Sequence, residues 1–264
     1  MAARDTRRSR PGATTGRVVP VGSTRTLAQA YRRFGQRAAA TSPLYERVAA
    51  AVSESDEALR AIEAVPARKR HPTVILAALH DLALAGRAPA LAEAYAARDG
   101  GAASRAAIDT LLRMTDSVVA LAVHRRVRTP ETGRHCVLYP AIAEAAHRVG
   151  ADAVGLVDVG CAAAFNLHVD RVRITYSNGQ SLGDPSSSVQ QSSSIVGGRP
   201  VPSRRMPEVV ARVAVDADPI DVADADDARW LRACLWPEQS DRAAQLEAEL
   251  AEPPALRAPH PGGG

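Results

Sequence analysis

Aromatic side chains are scarce in this chain: five Tyr, two Trp and two Phe among 264 residues, or 3%. A core must therefore be assembled from Ala, Val, Leu and Ile. Lysine occurs once, at Lys69, and asparagine only at Asn166 and Asn178. Cys136, Cys161 and Cys234 are odd in number, widely spaced and form no Cys-x-x-Cys pair, which points to free thiols in a reducing cytoplasm. No apolar run approaches the ~20 residues that a membrane span needs. The basic start lacks the apolar centre of a secretory signal. Metal-ligand spacings and a phosphate-binding P-loop are missing as well.

What remains is an ordinary globular composition, 46% apolar and 23% charged, long enough to bury a core. The net charge of +4 is unevenly placed: up to Arg37 there are nine Arg against Asp5 alone, so the rest of the chain is net negative. The basicity thus belongs to a solvated end rather than to a nucleic-acid face, and neither nucleic acid nor a membrane is the expected partner.

Residues 1–24 mix Arg, Gly, Pro, Ser and Thr without periodicity and are expected to be a disordered basic tail. A helix is predicted from Thr26, with Leu27, Tyr31 and Phe34 on one face. Ser42 before Pro43 is an N-cap and first-turn pair for the next helix. Further helices are expected over 56–65, 72–86, 89–97, 104–127 and 135–149. The 72–86 segment is apolar around most of its surface and should be central. Residues 25–150 accordingly read as a helical domain of about seven helices. His80 and His124 lie within it and lack a second ligand at i+4, so a structural role is expected of both.

The character then changes. Residues 154–159 form a short apolar run suited to a strand buried on both faces, as in a parallel sheet. Gly160 opens a tight turn, and Cys161, Ala162, Ala163 and Ala164 are small enough for a ligand to approach before a helix start. Residues 171–176 alternate as a strand, Asn178-Gly179 is a hairpin signal, and the stretch 184–207 reads as a long loop or protruding hairpin. A second buried strand follows at 209–215 and ends at Asp216. Asp224 can cap a helix through Leu235, and a last helix spans 240–250. The fold class expected is α/β, with a helical N-terminal domain followed by an incomplete Rossmann-like parallel sheet. Residues 151–252 make up the second part, with an inserted hairpin or loop at 170–208, and 253–264 are an expected disordered tail.

Three constellations bear on chemistry. Asp158-x-Gly160 followed by Asp216 has the order of a nucleotide-binding sheet, in which a glycine turn approaches the ligand and a later carboxylate accepts from ribose hydroxyls. The alternative is a tight turn with no ligand. Gly179-Gln180-Ser181-Leu182-Gly183 formally matches the hydrolase nucleophile elbow, but it lacks the flanking strand and helix, and its one downstream histidine is His260. Trp230 and Trp236 stand six apart with Arg229 and Arg232 beside them; packing is expected of them before ligand stacking.

Several separate motifs carry a resemblance. They are Val157-Asp158-Val159-Gly160 through Asn166, Gly183-Asp184-Pro185, Val213 through Val222, and Asp227-Ala228-Arg229-Trp230-Leu231 to Gln239. With Ser42-Pro43-Leu44-Tyr45 and Thr132-Gly133-Arg134, they resemble a bacterial domain-of-unknown-function family, number 2332, over about residues 30–250. That family is itself similar to class I S-adenosylmethionine-dependent methyltransferases. The resemblance implies that Asp158, Gly160, Cys161, Ala162 and Asn166 line a pocket for S-adenosylmethionine and that Asp216 holds its ribose. The chain departs from the family at Ala164 and Ala214, where glycine is usual, and at Asp218, where asparagine is usual. Family members continue with further strands, so a truncated and inactive methyltransferase-like protein is one expectation. Its methyl acceptor, a small molecule or a protein, is unreadable, as are the catalytic residues. The other readings are a non-catalytic interaction module, whose helical half and open sheet edge would bind a partner protein or another copy of the chain, and a serine hydrolase using Ser181.

Overall fold

Seven helices open the chain in the computed structural model, which describes residues 21–252 apart from 129 and 132. They are α1 (Val21–Ala38), α2 (Pro43–Glu54), α3 (Asp56–Glu63), α4 (Pro72–Leu84), α5 (Pro89–Ala96), α6 (Gly100–Arg113) and α7 (Thr115–His124). The helix starts follow local chemistry. Ser42 Oγ accepts the Tyr45 N–H at 3.0 Å, and Ser55 Oγ accepts that of Ala58 at 3.2 Å. α1 begins five residues before the predicted Thr26, so 21–24 are helical rather than part of a tail. The remainder of the expected tails, 1–20 and 253–264 with His260, lies outside the described residues, as do Thr129 and Thr132 of the predicted turn.

The single helix predicted over 104–127 is two. Asp99 Oδ1 accepts from the N–H groups of Gly101 and Ala102 at 2.9 and 3.0 Å and starts α6 early, and Met114 leaves helical geometry at φ −121°, ψ 30°. α4 is central as its composition predicts: Ile75, Leu76, Leu79 and Leu82 are fully buried in a core shared with Leu44, Leu59, Ile62 and Leu111. Each such side chain is worth ~1.5–3 kcal/mol of burial. No single helix among the described residues is long and apolar enough to cross a membrane.

After α8 (His135–Val149), β1 (Ala153–Val159) pairs in parallel with β5 (Glu208–Val215), matching Val157 with Val213 and Val159 with Val215. A second sheet has the order β3–β2–β4, from β2 (Val172–Tyr176), β3 (Ser181–Gly183) and β4 (Val189–Ser193). The Asn178-Gly179 turn joins β2 to antiparallel β3 as predicted, with Gly179 at φ +83°. Gly183 is obligatory: at φ +85°, a Cβ there would sit 1.9 Å from the Val172 carbonyl oxygen. β4 falls in the stretch that reads as a long loop or protruding hairpin, where the sequence places no strand. Its inward positions are Val189 and Gln191, so a buried glutamine hid the alternation.

Two expectations about β1 and β5 are corrected. Neither strand is buried on both faces, since among the described residues no helix covers the second face: Val157 and Val159 are 67% and 75% exposed, and Val210 and Val215 of β5 are exposed too. The segment after the turn at Gly160 is a kinked 3-10 stretch, Phe165–Arg171, not an α-helix.

Packing crosses residue 150 in both directions. Cys136 and Tyr139 of α8 pack on Val172, Ile174 and Val189 of the second sheet. Trp230 and Ala233 of α9 (Ala225–Ala233), with Cys234 after it, join the helical core instead. Arg229 reaches Asp81 at 3.1 Å, Trp230 Nε1 donates to the Arg126 carbonyl at 2.8 Å, and Arg125 pairs with Asp227. Both tryptophans therefore pack as expected, Trp236 resting on the same core. α10 (Ser240–Leu250) closes the described chain and buries Leu246.

Candidate site at the ends of β1 and β5

Parallel pairing brings the carboxyl ends of β1 and β5 side by side, and all six residues expected to bind cofactor lie there. The Gly160 N–H donates to the Val215 carbonyl at 2.8 Å, carrying the ladder one residue past the strand. Gly160 then turns left-handed at φ +73°, where an added Cβ would meet nothing within 4 Å. Glycine is required there by backbone angle, not by a close neighbour. The turn closes with the Ala164 N–H donating to the Cys161 carbonyl at 2.8 Å. Ala162 and Ala164 both hold positive φ, +49° and +60°, which an alanine methyl makes costly.

Asp216, the residue after β5, turns into this loop. Its Oδ2 accepts the Ala162 N–H at 2.8 Å, and its Oδ1 accepts from the Asp218 N–H at 2.8 Å and from Arg128 Nη2 at 3.1 Å. The side chain is 3% exposed. Burial pushes this carboxyl up, but the two N–H donors and the Arg128 charge outweigh it and hold it below the usual carboxylate range. On the other side of the turn Asn166 Nδ2 donates to Asp158 Oδ2 at 3.0 Å. Burial first, then the carboxylates of Asp158 and Asp216, push the Cys161 thiol up, so it is a poor nucleophile.

Arg128 is the member of this cluster that the sequence did not announce. It arrives from the segment after α7, and nothing in its neighbourhood marks it among so many arginines. The cavities that the described residues form around Glu93, Asp152, His80 and Tyr45 share no wall with the cluster. No group of three or more His, Cys, Asp or Glu among the described residues is placed to hold a metal ion.

Ser181 is an exposed residue of β3, and its Gly-x-Ser-x-Gly motif runs through a hairpin turn. The strand-to-helix bend of a nucleophile elbow is not formed there. His80 is buried in the helical core and His124 ends α7 at the surface. A second polar cluster went unforeseen: His135, Gln191 and Glu249, from α8, β4 and α10, are joined by Gln191 Nε2 donating to His135 Nδ1 at 2.7 Å and to Glu249 Oε1 at 3.2 Å. Gln191 in a serine-rich run was its only trace in the sequence.

No curated protein and no solved structure matches this chain. A family model described as "Uncharacterized protein conserved in bacteria (DUF2332)" matches residues 28–259, which is most of the chain, and the protein belongs to that family.

Proposed function

We propose that the ends of β1 and β5 are a nucleoside-binding half-site of the S-adenosylmethionine methyltransferase kind. The observation that carries this reading is the 2.8 Å bond from the Ala162 N–H to Asp216 across two parallel strands, which sets a carboxylate against main-chain donors of a glycine turn. Ribose hydroxyls donate to carboxylates, and adenosyl groups accept from turn amides, so the donor set suits the ligand in kind. The placement suits it less: both oxygens of Asp216 are engaged within the protein. Binding therefore requires Asp216 to exchange Arg128 and one amide for the ribose. S-Adenosylmethionine supplies an electrophilic methyl group when bound. The chain's part in this reading is to hold and align, which needs no general base.

Calorimetric titration with S-adenosylmethionine tests the reading. The expected result is saturable binding that Asp216→Asn weakens by at least tenfold and that Arg128→Gln strengthens by removing one of the two donors to Oδ1. No heat at millimolar cofactor, or identical binding in both variants, removes it.

A second reading rests on the bare face of the two-stranded sheet, with Val157, Val159, Val210 and Val215 exposed together. Apolar clusters of this kind are where proteins meet, so the alternative is an interaction module without catalysis. A monodisperse, partner-free monomer whose stability and behaviour ignore Val157→Asp counts against it.

A further inference from the structure

α10 closes over two apolar clusters at once. Leu246 is fully buried with Ile220, Leu231 and Leu235, and Ala162, Ala163 and Phe165 at the glycine turn pack against that group. Ala248, two residues further on, packs against the second sheet instead. Beside it Glu249 is buried, its carboxyl enclosed between α8 and β4.

A hydrogen-bond chain of fixed polarity runs from this carboxyl to the turn. Gln191 Nε2 has two hydrogens and gives one to Glu249 Oε1 at 3.2 Å and the other to His135 Nδ1 at 2.7 Å. Nδ1 therefore accepts, the ring proton sits on Nε2, and Nε2 donates to the Phe165 carbonyl at 3.0 Å. Phe165 directly follows Ala164 of the turn. Within the turn, the Ala162 carbonyl accepts the N–H of Ile220, a member of the Leu246 cluster, at 3.2 Å. α10 and the turn are thus joined twice, by the polar chain and by the packing around Leu246.

Among the described residues no cation meets a charge on Glu249. His135 of α8, 3.9 Å away, and His168 of the 3-10 stretch are kept neutral by burial. Asp170 is held by Arg212, and Arg232 of α9 by Glu247. Glu252 accepts from Ser188 at 2.6 Å, and Arg171 is exposed. Glu249 Oε2 is sealed with no partner, so the ionised carboxyl reaches water only when α10 lifts.

We propose that α10 is a pH-operated clasp on the glycine turn: when Glu249 loses its proton, α10 opens from β4 and α9 more often, and residues 160–165 open with it. The turn at the ends of β1 and β5 is then held less firmly in alkaline than in acid solution, whether or not it binds a nucleoside.

Amide hydrogen exchange on the full chain, resolved by residue and corrected for the intrinsic rate, tests this between pH 5 and pH 8. Burial sets the Glu249 carboxyl at about 7 in the closed form, against 4.5 when it is free in water. Opening should therefore become ~50- to 100-fold more frequent across that range. The amides of α10 and those of Ala162 and Ala164, bonded to Asp216 and Cys161, should lose protection together by that factor. Their protection should start below that of α4. Glu249→Gln should remove the pH dependence from both segments. Leu246→Ala loosens α10 without touching the carboxyl and should lower the protection of both at pH 5 by at least tenfold. Four results would each overturn the proposal: α10 protection that ignores pH, α10 responding to pH or to Leu246→Ala without the turn, protection of both segments equal to that of α4 throughout, or a pH dependence that survives Glu249→Gln.

Discussion

Glu249 offers a direct test of the second polar cluster. Its carboxyl comes from α10 into an almost closed site, 3% exposed, where Oε1 accepts from Gln191 Nε2 at 3.2 Å and Oε2 has no partner. His135 Nδ1 lies 3.9 Å away but is itself an acceptor from Gln191, while its Nε2 donates to the Phe165 carbonyl at 3.0 Å. Burial foremost drives the His135 pKa down, so the ring is neutral and offers Glu249 no charge. Burial, only partly offset by Gln191, pushes the Glu249 carboxyl from its ordinary 4.5 up to about 7. At ~1.4 kcal/mol per tenfold, the charged form costs the fold about 3 kcal/mol.

The sign follows from which state holds the proton. Below pH 4.5 folded and unfolded chains both carry it, and Glu249 is silent. Between 4.5 and 7 only the folded chain keeps it, so stability falls as pH rises, and above 7 the whole cost is present. Glu249→Gln removes this slope and keeps an acceptor for Gln191. The wild-type curve alone does not isolate it. Burial also pulls His80 and His168 down to about 4, which makes stability fall in the opposite sense, from pH 6.5 toward 4. The difference between variant and wild type cancels those histidines. Urea unfolding should show Glu249→Gln gaining about 2 to 3 kcal/mol relative to wild type between pH 5 and pH 8. A difference flat to within ~0.5 kcal/mol would mean that water or a cation reaches the carboxylate, and the buried-acid reasoning would fail.

Two further outcomes follow from long-range polar contacts. Ser42 caps α2 and donates to Glu238, whose Oε1 also accepts the Leu44 N–H at 2.9 Å. Ser42→Ala should cost about 1 to 2 kcal/mol, and a double-mutant cycle with Glu238→Gln should show coupling, whereas additive losses would contradict the contact. Arg229→Leu strands the Asp81 carboxylate, 4% exposed, and should cost about 3 kcal/mol at pH 8. Because burial already raises the Asp81 carboxyl, the loss should shrink toward pH 4, and a pH-independent loss would argue that the pair is only surface decoration.

Local chemistry was legible from the residues themselves. Ser42-Pro43, Asp224 before α9, Asn178-Gly179 and Gly160 each state a backbone preference that the next few residues satisfy, and the apolar belt of α4 states its burial. The order of Asp158, Gly160 and Asp216 also foretold that turn and carboxylate would meet, since strands 154–159 and 209–215 were readable as a pair. What lay beyond reading was every feature decided by a partner distant in sequence. Arg128 is one of many arginines until the fold sets it on Asp216, and Gln191 looks like loop until His135 and Glu249 surround it. β1 is as apolar as a strand covered on both sides, yet one face stands open, because whether a helix lies over a strand depends on where the rest of the chain goes. Periodicity and capping record energies within a turn or two. Which side chains lose water together is settled only when segments more than a hundred residues apart, such as α4 and α9, close on each other.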